Sequence, residues 1–286
     1  MAGRVLVSGA SGTIGKVVAA TLAAADVEAL AASRTGGPVA GCEGVVLDFT
    51  RPSTWPAAFK GVESLFLMRP PAVGNVRRDL LPAVAAAGEA GVRHVVFLSL
   101  QGAERNKIVP HSAVERWLRA SRMTWTFVRP SFFCQNLTGV HLSDIRDRDQ
   151  IAVPAGDGAT AFVDALDVGE VAAAALLDTA HHAGRTWTVT GPRALTYQQI
   201  AWLLSAECGR TIRYTRPGLL AYTRHARTRL GMPWPMVAVT SAIYTTARLG
   251  MAAGLSDDVR TVLGRDPIDF TQFAHRERDL FNPRST

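Results

Sequence analysis

The eleven residues from Val5 to Gly15, V-L-V-S-G-A-S-G-T-I-G, constrain this chain more than any other stretch. Val5, Leu6 and Val7 form an apolar run without polar alternation, which predicts a strand buried on both faces of a parallel sheet. Gly9, Gly12 and Gly15 follow at intervals of three, and Ile14 to Ala25 reads as a helix. A strand, a glycine turn and a helix aim free backbone N–H groups and the positive helix end at an anion. One glycine turns the chain, one admits a phosphate, and one lets helix and strand pack closely. The pattern predicts that Gly9, Ser11, Gly12, Thr13, Ile14 and Gly15 hold the pyrophosphate of a dinucleotide.

The rest of the first half alternates strands with helices. Val27 to Ser33, Gly44 to Asp48, Ser64 to Met68, His94 to Leu98 and Thr124 to Val128 read as strands; Arg78 to Ala90 and Ser112 to Ser121 read as helices. That rhythm predicts an α/β fold, a doubly wound parallel sheet with right-handed crossovers. Ligands of such sheets bind outside the carboxyl ends of the strands. Met68 and Pro70 at the fourth strand and Ser99 at the fifth are therefore placed with the cofactor. Asp48 and Phe49 end the third strand; they either flank the adenine, or Asp48 caps the next turn.

After Pro130 the rhythm loosens. Residues 1–150 are assigned to cofactor binding and residues 151–286 to a smaller, mostly helical lobe for the substrate, with strand 186–190 returning to the main sheet. Asp167 with Glu170, and Thr196 with Gln199, carry the spacing of helix capping boxes. Helices are expected over Leu219 to Arg229, Met236 to Leu249 and Ser256 to Leu263, with a short strand at Thr160 to Val163.

An NAD-binding unit of this kind carries a carboxylate about 20 residues past the glycines. Here the corresponding segment is Ala31-Ala32-Ser33-Arg34-Thr35. Arg34 suits a 2′-phosphate and favours NADP(H); the plainer alternative is an ordinary exposed arginine after a strand.

Bulk properties exclude several classes. Cys42, Cys134 and Cys208 are scattered without a C-x-x-C pair, which predicts a reduced, cytoplasmic protein and no metal site. No apolar run reaches the length of a membrane span, and Met1 leads straight into the first strand, so neither membrane insertion nor a leader is expected. The net charge is +7, with six arginines and no acid from Arg210 to Arg229. No nucleic-acid-binding motif accompanies them, and a solvated basic surface or a site for an acidic substrate group is the expectation.

In order along the chain, Gly9-Ala10-Ser11-Gly12-Thr13-Ile14-Gly15, Leu98-Ser99, His111-Ser112-Ala113-Val114-Glu115, Thr126-Phe127-Val128-Arg129-Pro130-Ser131-Phe132-Phe133, Gln135-Asn136-Leu137, Phe162-Val163-Asp164 and Leu195-Thr196-Tyr197 form a set. The set resembles the extended and atypical short-chain dehydrogenase/reductases, in particular their NmrA-like group with its NADPH-dependent quinone reductases. The resemblance implies a Rossmann-type cofactor domain. It also implies that Pro130, Phe132 and Phe133 pass the nicotinamide, although both phenylalanines can equally be core.

One departure from the wider superfamily bears on chemistry. Its Tyr-x-x-x-Lys pair is missing: none of Tyr197, Tyr214, Tyr222 and Tyr244 has a lysine four residues on. His111-x-x-x-Glu115 stands in that place, both side chains on one helix face. His111 is a candidate proton donor, since an ordinary imidazole titrates near neutrality; touching the cofactor ribose is its plainer role. Glu115 either orients the His111 ring or pairs with Arg119. Ser99 or Gln101 is expected to bind the substrate oxygen, the alternative for Ser99 being a backbone contact. Asn136, Phe162 and Trp234 are further candidates for the substrate site.

The function expected is an NADPH-dependent reductase of a carbonyl or quinone in a bulky aromatic, polyketide-like substrate, as in antibiotic biosynthesis, acting as monomer or homodimer. A non-catalytic NADP(H)-binding redox sensor of the NmrA type is the main alternative, and an isomerase or dehydratase on the same scaffold a weaker one.

Overall fold

The computed structural model describes residues 3–282. Its strands are β1 Val5–Ser8, β2 Ala29–Ser33, β3 Glu43–Val46, β4 Ser64–Met68, β5 His94–Leu98, β6 Thr124–Pro130, β7 Phe132–Phe133, β8 Gln150–Ile151, β9 Ala159–Val163, β10 Thr186–Val189, β11 Ala194–Thr196 and β12 Arg213–Tyr214. The helices begin with α1 Thr13–Ala24, α2 Trp55–Phe59, α3 Val76–Asp79, α4 Leu81–Glu89, α5 Pro110–Ala120, α6 Leu142–Arg148 and α7 Ala165–Leu177. They continue with α8 Thr179–His182, α9 Tyr197–Cys208, α10 Leu219–Thr228, α11 Trp234–Arg248, α12 Asp258–Leu263, α13 Phe270–Arg276 and α14 Arg278–Phe281.

Two compact units divide the chain: Met1–Pro130 with Ala165–Val189 and Asp258–Arg265, and Ser131–Asp164 with Thr190–Asp257 and Asp266–Thr286. Seven strands of the first unit form one sheet in the order β10-β6-β5-β4-β1-β2-β3, every neighbouring pair parallel. This is the doubly wound, Rossmann-type sheet. The order reverses between β1 and β4, and that reversal opens a crevice at their carboxyl ends. Val5, Leu6 and Val7 are buried, as an unalternating strand between two helical layers must be. On one face Leu6, Leu65, Leu67, Val95 and Phe97 join a core with Val84 and Leu118. Burying each such side chain contributes roughly 1.5–3 kcal/mol.

The long helix expected after β4 is two helices, α3 and α4, because Pro82 stands in the first turn of α4. Its ring clashes with the carbonyl four residues earlier, so the chain turns at Leu80 and restarts. The capping box expected from Asp167 and Glu170 is also absent. The helix α7 already begins at Ala165, and Arg265 holds both carboxylates instead, at 2.7 and 2.6 Å.

The second unit is mostly helical, with a three-stranded sheet in the order β11-β9-β7 and the β8–β12 pair. Thr196 and Gln199 do form a capping box at the start of α9. All four tyrosines of the chain meet in this unit's core, with Tyr222–Tyr244, Tyr197–Tyr214 and Tyr197–Tyr244 ring centroids 5.5, 5.8 and 6.0 Å apart. Burial pushes the Tyr197 and Tyr244 hydroxyls well above their ordinary pKa. No helix among the described residues is long and apolar enough to cross a membrane.

Candidate active site

The glycine turn is built by close approach. Gly9 leaves β1 at φ +63°, a left-handed conformation that favours glycine. A Cβ on Gly15 would lie 2.2 Å from the Gly9 carbonyl oxygen and 2.8 Å from Ala10 Cα, so only glycine lets α1 start this near the strand. Gly12 caps α1 without a side-chain bond, and no acid stands in the first turn. The amides of that turn are left to an outside acceptor. Ser11 and Thr13 are exposed there, and Ile14 and Gly15 are buried. Across the crevice, Met68 at the end of β4 donates its backbone N–H to Ser8 Oγ at 2.8 Å and lays its Cε against Gly9. Pro70 follows, half-buried. These residues fit a dinucleotide pyrophosphate: a bare helix N-terminus over a glycine backbone, with the flexible Met68 side chain beside Gly9.

Arg34 stands exposed just beyond β2 and has no hydrogen bond or ion pair among the described residues. At the third strand the structure shows the turn-capping alternative for Asp48. The strand β3 ends at Val46, and Asp48 accepts hydrogen bonds from Thr50 N and Oγ1 at 2.9 and 2.7 Å, capping its turn. Those bonds, with the charges of Arg51 and Arg34, hold its carboxyl below the usual range. Phe49 points into the core, 7% exposed, because an aromatic ring gains more from packing there than from solvent.

At the carboxyl ends of β5 and β6 lies a buried polar cluster. Glu115, on α5, is 1% exposed. Its Oε1 accepts from Ser99 Oγ at 2.7 Å and Arg129 Nε at 2.9 Å, and its Oε2 from Arg129 Nη2 at 2.6 Å. Arg119, one turn on, lies 3.3 Å from Oε2, and Arg129 Nη1 reaches Glu104 at 2.8 Å. Burial alone would raise the Glu115 pKa; the bonds from Arg129 and Ser99 and the nearby arginine charges outweigh it, so the carboxyl titrates below its usual range. Glu115 therefore takes the Arg119 partner expected as one alternative and makes no hydrogen bond to His111. Arg129, a central member, was not among the residues singled out in the sequence.

His111 occupies the first turn of α5, its ring 6.0 Å from that of Phe97. Burial, and then the Arg69 guanidinium, push its pKa down to about 4 against the pull of Glu115. The imidazole is thus neutral near pH 7, contrary to the near-neutral titration expected of it. Its buried Nδ1 has no protein partner. Arg69, also missed in the sequence, donates Nη1 to the carbonyls of Pro70 and Val73 at 3.2 and 2.7 Å. Gln101 donates its backbone N–H to the buried Pro130 carbonyl at 3.0 Å, tying the loop after β5 to the end of β6.

The remaining expected residues fall in the second unit. Phe162 is 3% exposed and packs edge-on against Phe132 and Tyr197, with Phe270 behind it, so its ring is part of this unit's core. Phe132 belongs to the same cluster, and Phe133 and Asn136 are half-buried. Trp234 is 62% exposed, with the Arg227 guanidinium 5.0 Å from its ring. Asp164 is fully buried and pairs with Gln135 and Arg276. No group of three or more potential metal ligands occurs among the described residues.

The sequence profile of the NmrA-like family matches residues 1–225. The chain belongs to that family. It is 34% identical to an NAD(P)H azoreductase of Xenophilus azovorans, over 97% of this chain and 99% of the relative. It is 31% identical to a (4-alkanoyl-5-oxo-2,5-dihydrofuran-3-yl)methyl phosphate reductase of Streptomyces griseus, over 98% and 99%. Among solved structures it resembles the NADPH complex of an Escherichia coli NADPH-dependent quinone oxidoreductase, with TM-score 0.83, 20% identity and coverage of 96% and 98%. It also resembles a Citrobacter triphenylmethane reductase complexed with NADP(H), with TM-score 0.81, 24% identity and coverage of 96% and 99%. These structural likenesses fix the fold. In this NmrA-like chain no tyrosine lies in the first unit, where Ser99, His111 and the Glu115 cluster stand near the carboxyl ends of β5 and β6.

Proposed function

We propose that the protein is an NADPH-dependent reductase of bulky aromatic substrates, the reducible group being a quinone or ketone carbonyl or an azo bond. The single observation that carries the reading is the uncapped glycine cradle of Gly9, Gly12 and Gly15 at the β1/β4 reversal. It fits a dinucleotide, and the full-length relatives are an NAD(P)H azoreductase and a reductase. Arg34, cationic and with no hydrogen bond or ion pair among the described residues, supports NADP(H) over NAD(H) by offering a counter-charge to a 2′-phosphate. In this reading the first unit binds cofactor and carries Gln101 as a candidate substrate contact; Asn136 and Trp234, in the second unit, are separate candidates.

Bound in the cradle, NADPH would supply the hydride. The chain's own residues set the rest. His111 is neutral and its Nδ1 is unpartnered, so it acts as a fixed hydrogen-bonding group and not as an imidazolium acid. Ser99 donates its hydroxyl hydrogen bond to Glu115, so that proton is not aimed at a substrate either. The proton then arrives from solvent or from a phenol or enol of the substrate itself. That fits an aromatic substrate, because a neighbouring phenol stabilises the developing charge.

The test is to mix purified protein with NADPH and a panel of naphthoquinones, azo dyes and polycyclic ketones, following the absorbance of the reduced nicotinamide. Oxidation dependent on protein and on one substrate class supports the reading. Tight NADPH binding without oxidation across the panel would instead support a dinucleotide sensor.

A further inference from the structure

Ser99 directly follows β5, at the carboxyl edge of the sheet, and it is only 4% exposed. Its hydroxyl lies 2.7 Å from Glu115 Oε1. A carboxylate can only accept, and a hydroxyl has one proton and two lone pairs. Glu115 is held as a carboxylate by Arg129 through two bonds of 2.9 and 2.6 Å and by Arg119 at 3.3 Å. Arg129 is in turn fixed to Glu104 at 2.8 Å. The Ser99 proton is therefore committed to Glu115.

We infer that Ser99 is a hydrogen-bond acceptor subsite that takes a donor group, a hydroxyl or an amide N–H, from the bound ligand. Arg129 and Glu115 are its positioning residues: they keep the carboxylate charged and aim the serine proton away from the site. A bare carbonyl oxygen finds no donor at Ser99. The subsite thus selects ligands that carry a donor beside the reducible group, which sharpens the aromatic class proposed above and rests on that reading for its place in the reaction. Two sources offer the same chemistry, the carboxamide of the nicotinamide and a phenolic hydroxyl of the substrate.

The test uses binding, so that it stands apart from turnover. Dissociation constants are measured by tryptophan fluorescence for wild type and Ser99→Ala with two matched pairs. One pair is NADP⁺ and its acetylpyridine analogue, which lacks the amide N–H; the other is a ring-hydroxylated naphthoquinone and its parent. Wild type is expected to favour the donor-bearing member of one pair by about three- to tenfold, the range of a single net hydrogen bond. Ser99→Ala is expected to abolish the preference while the other member binds both proteins alike, and Ser99→Thr to retain it. Whichever pair shows the coupling names the source.

Absence of preference in wild type, which needs no variant to fold, would overturn the inference. So would equal weakening of both members by Ser99→Ala, the signature of a merely structural serine. Coupling without NADPH oxidation by any quinone, azo or ketone acceptor would leave the acceptor subsite standing and remove the reductase reading.

Discussion

Glu115 accepts two hydrogen bonds from Arg129, at 2.9 and 2.6 Å, and none from His111, four residues before it on the same helix. The His/Glu pair that replaces the tyrosine and lysine of the wider superfamily is thus not a dyad. One member belongs to a buried ion cluster; the other is a neutral ring beside it. A buried pair of this kind is costly to break from one side, because the survivor keeps its charge without water. Glu115→Ala is expected to destabilise the protein by roughly 3–5 kcal/mol, and Arg129→Met by a similar amount. The double variant should lose less than the sum, measured by urea unfolding. Strict additivity would mean that the two residues do not stabilise one another.

His94, His111 and His141 are all held near pKa 4, in each case first by burial. Their folded pKa values lie below the ordinary 6.5, so the unfolded chain binds more protons between those limits. Their contribution to stability is complete above pH 6.5 and is lost as pH falls toward 4. Each adds up to about 1.4 kcal/mol per pH unit to the slope. Unfolding free energies should fall as the pH is lowered across this window, and His111→Phe should flatten the slope. An unchanged slope would place a charged His111 in the folded state.

The same shift has a kinetic consequence. An imidazolium acid would give kcat a step near pH 6.5, and a neutral His111 gives none there. Replacing His111 by Phe is expected to lower kcat about tenfold or more through loss of a polar contact, with NADPH affinity retained. A step near pH 6.5 that vanishes in the variant would restore the acid role.

Gly15 and Gly12 separate packing from binding. Alanine at Gly15 meets backbone at 2.2 Å, whereas at Gly12 its nearest neighbour is the Gly9 oxygen at 3.3 Å. Gly15→Ala should cost about 1–3 kcal/mol of stability. Gly12→Ala should leave stability nearly intact and weaken NADPH, since the added methyl stands where phosphate approaches. Equal effects on folding would contradict this division.

Much of this was legible in the sequence, and the rest was not for identifiable reasons. The β1 turn and α1 are coded locally, by an apolar run and three glycines, and the parallel order follows from strand–helix alternation. The capping box of Thr196 and Gln199 is equally local. Arg129 was hidden because its partners, Glu115 and Glu104, come from elsewhere in the fold; the readable signal was an arginine inside an apolar strand, which needs a carboxylate to be buried. Phe49 looked like a ligand contact because it ends the third strand and Phe162 because it sits in a matching motif, yet both rings are buried in core packing. The break at Leu80 was readable from Pro82, but the alanine-rich run around it suggested a single helix.

Arg34→Ala is expected to weaken NADPH by about tenfold or more and NADH hardly at all, as removal of one charge-assisted contact should. Calorimetric titration with both cofactors decides it. Equal loss for both would remove the basis for NADP(H) preference.

The most direct measurement of the central claim is the rate of NADPH oxidation with a naphthoquinone, using cofactor deuterated at the transferred position of the nicotinamide. A reductase built on this cradle should oxidise NADPH in step with quinone loss, and the chemical step should slow with the deuterated cofactor in single-turnover experiments. Saturable NADPH binding with no oxidation by quinone, azo or ketone acceptors would contradict it.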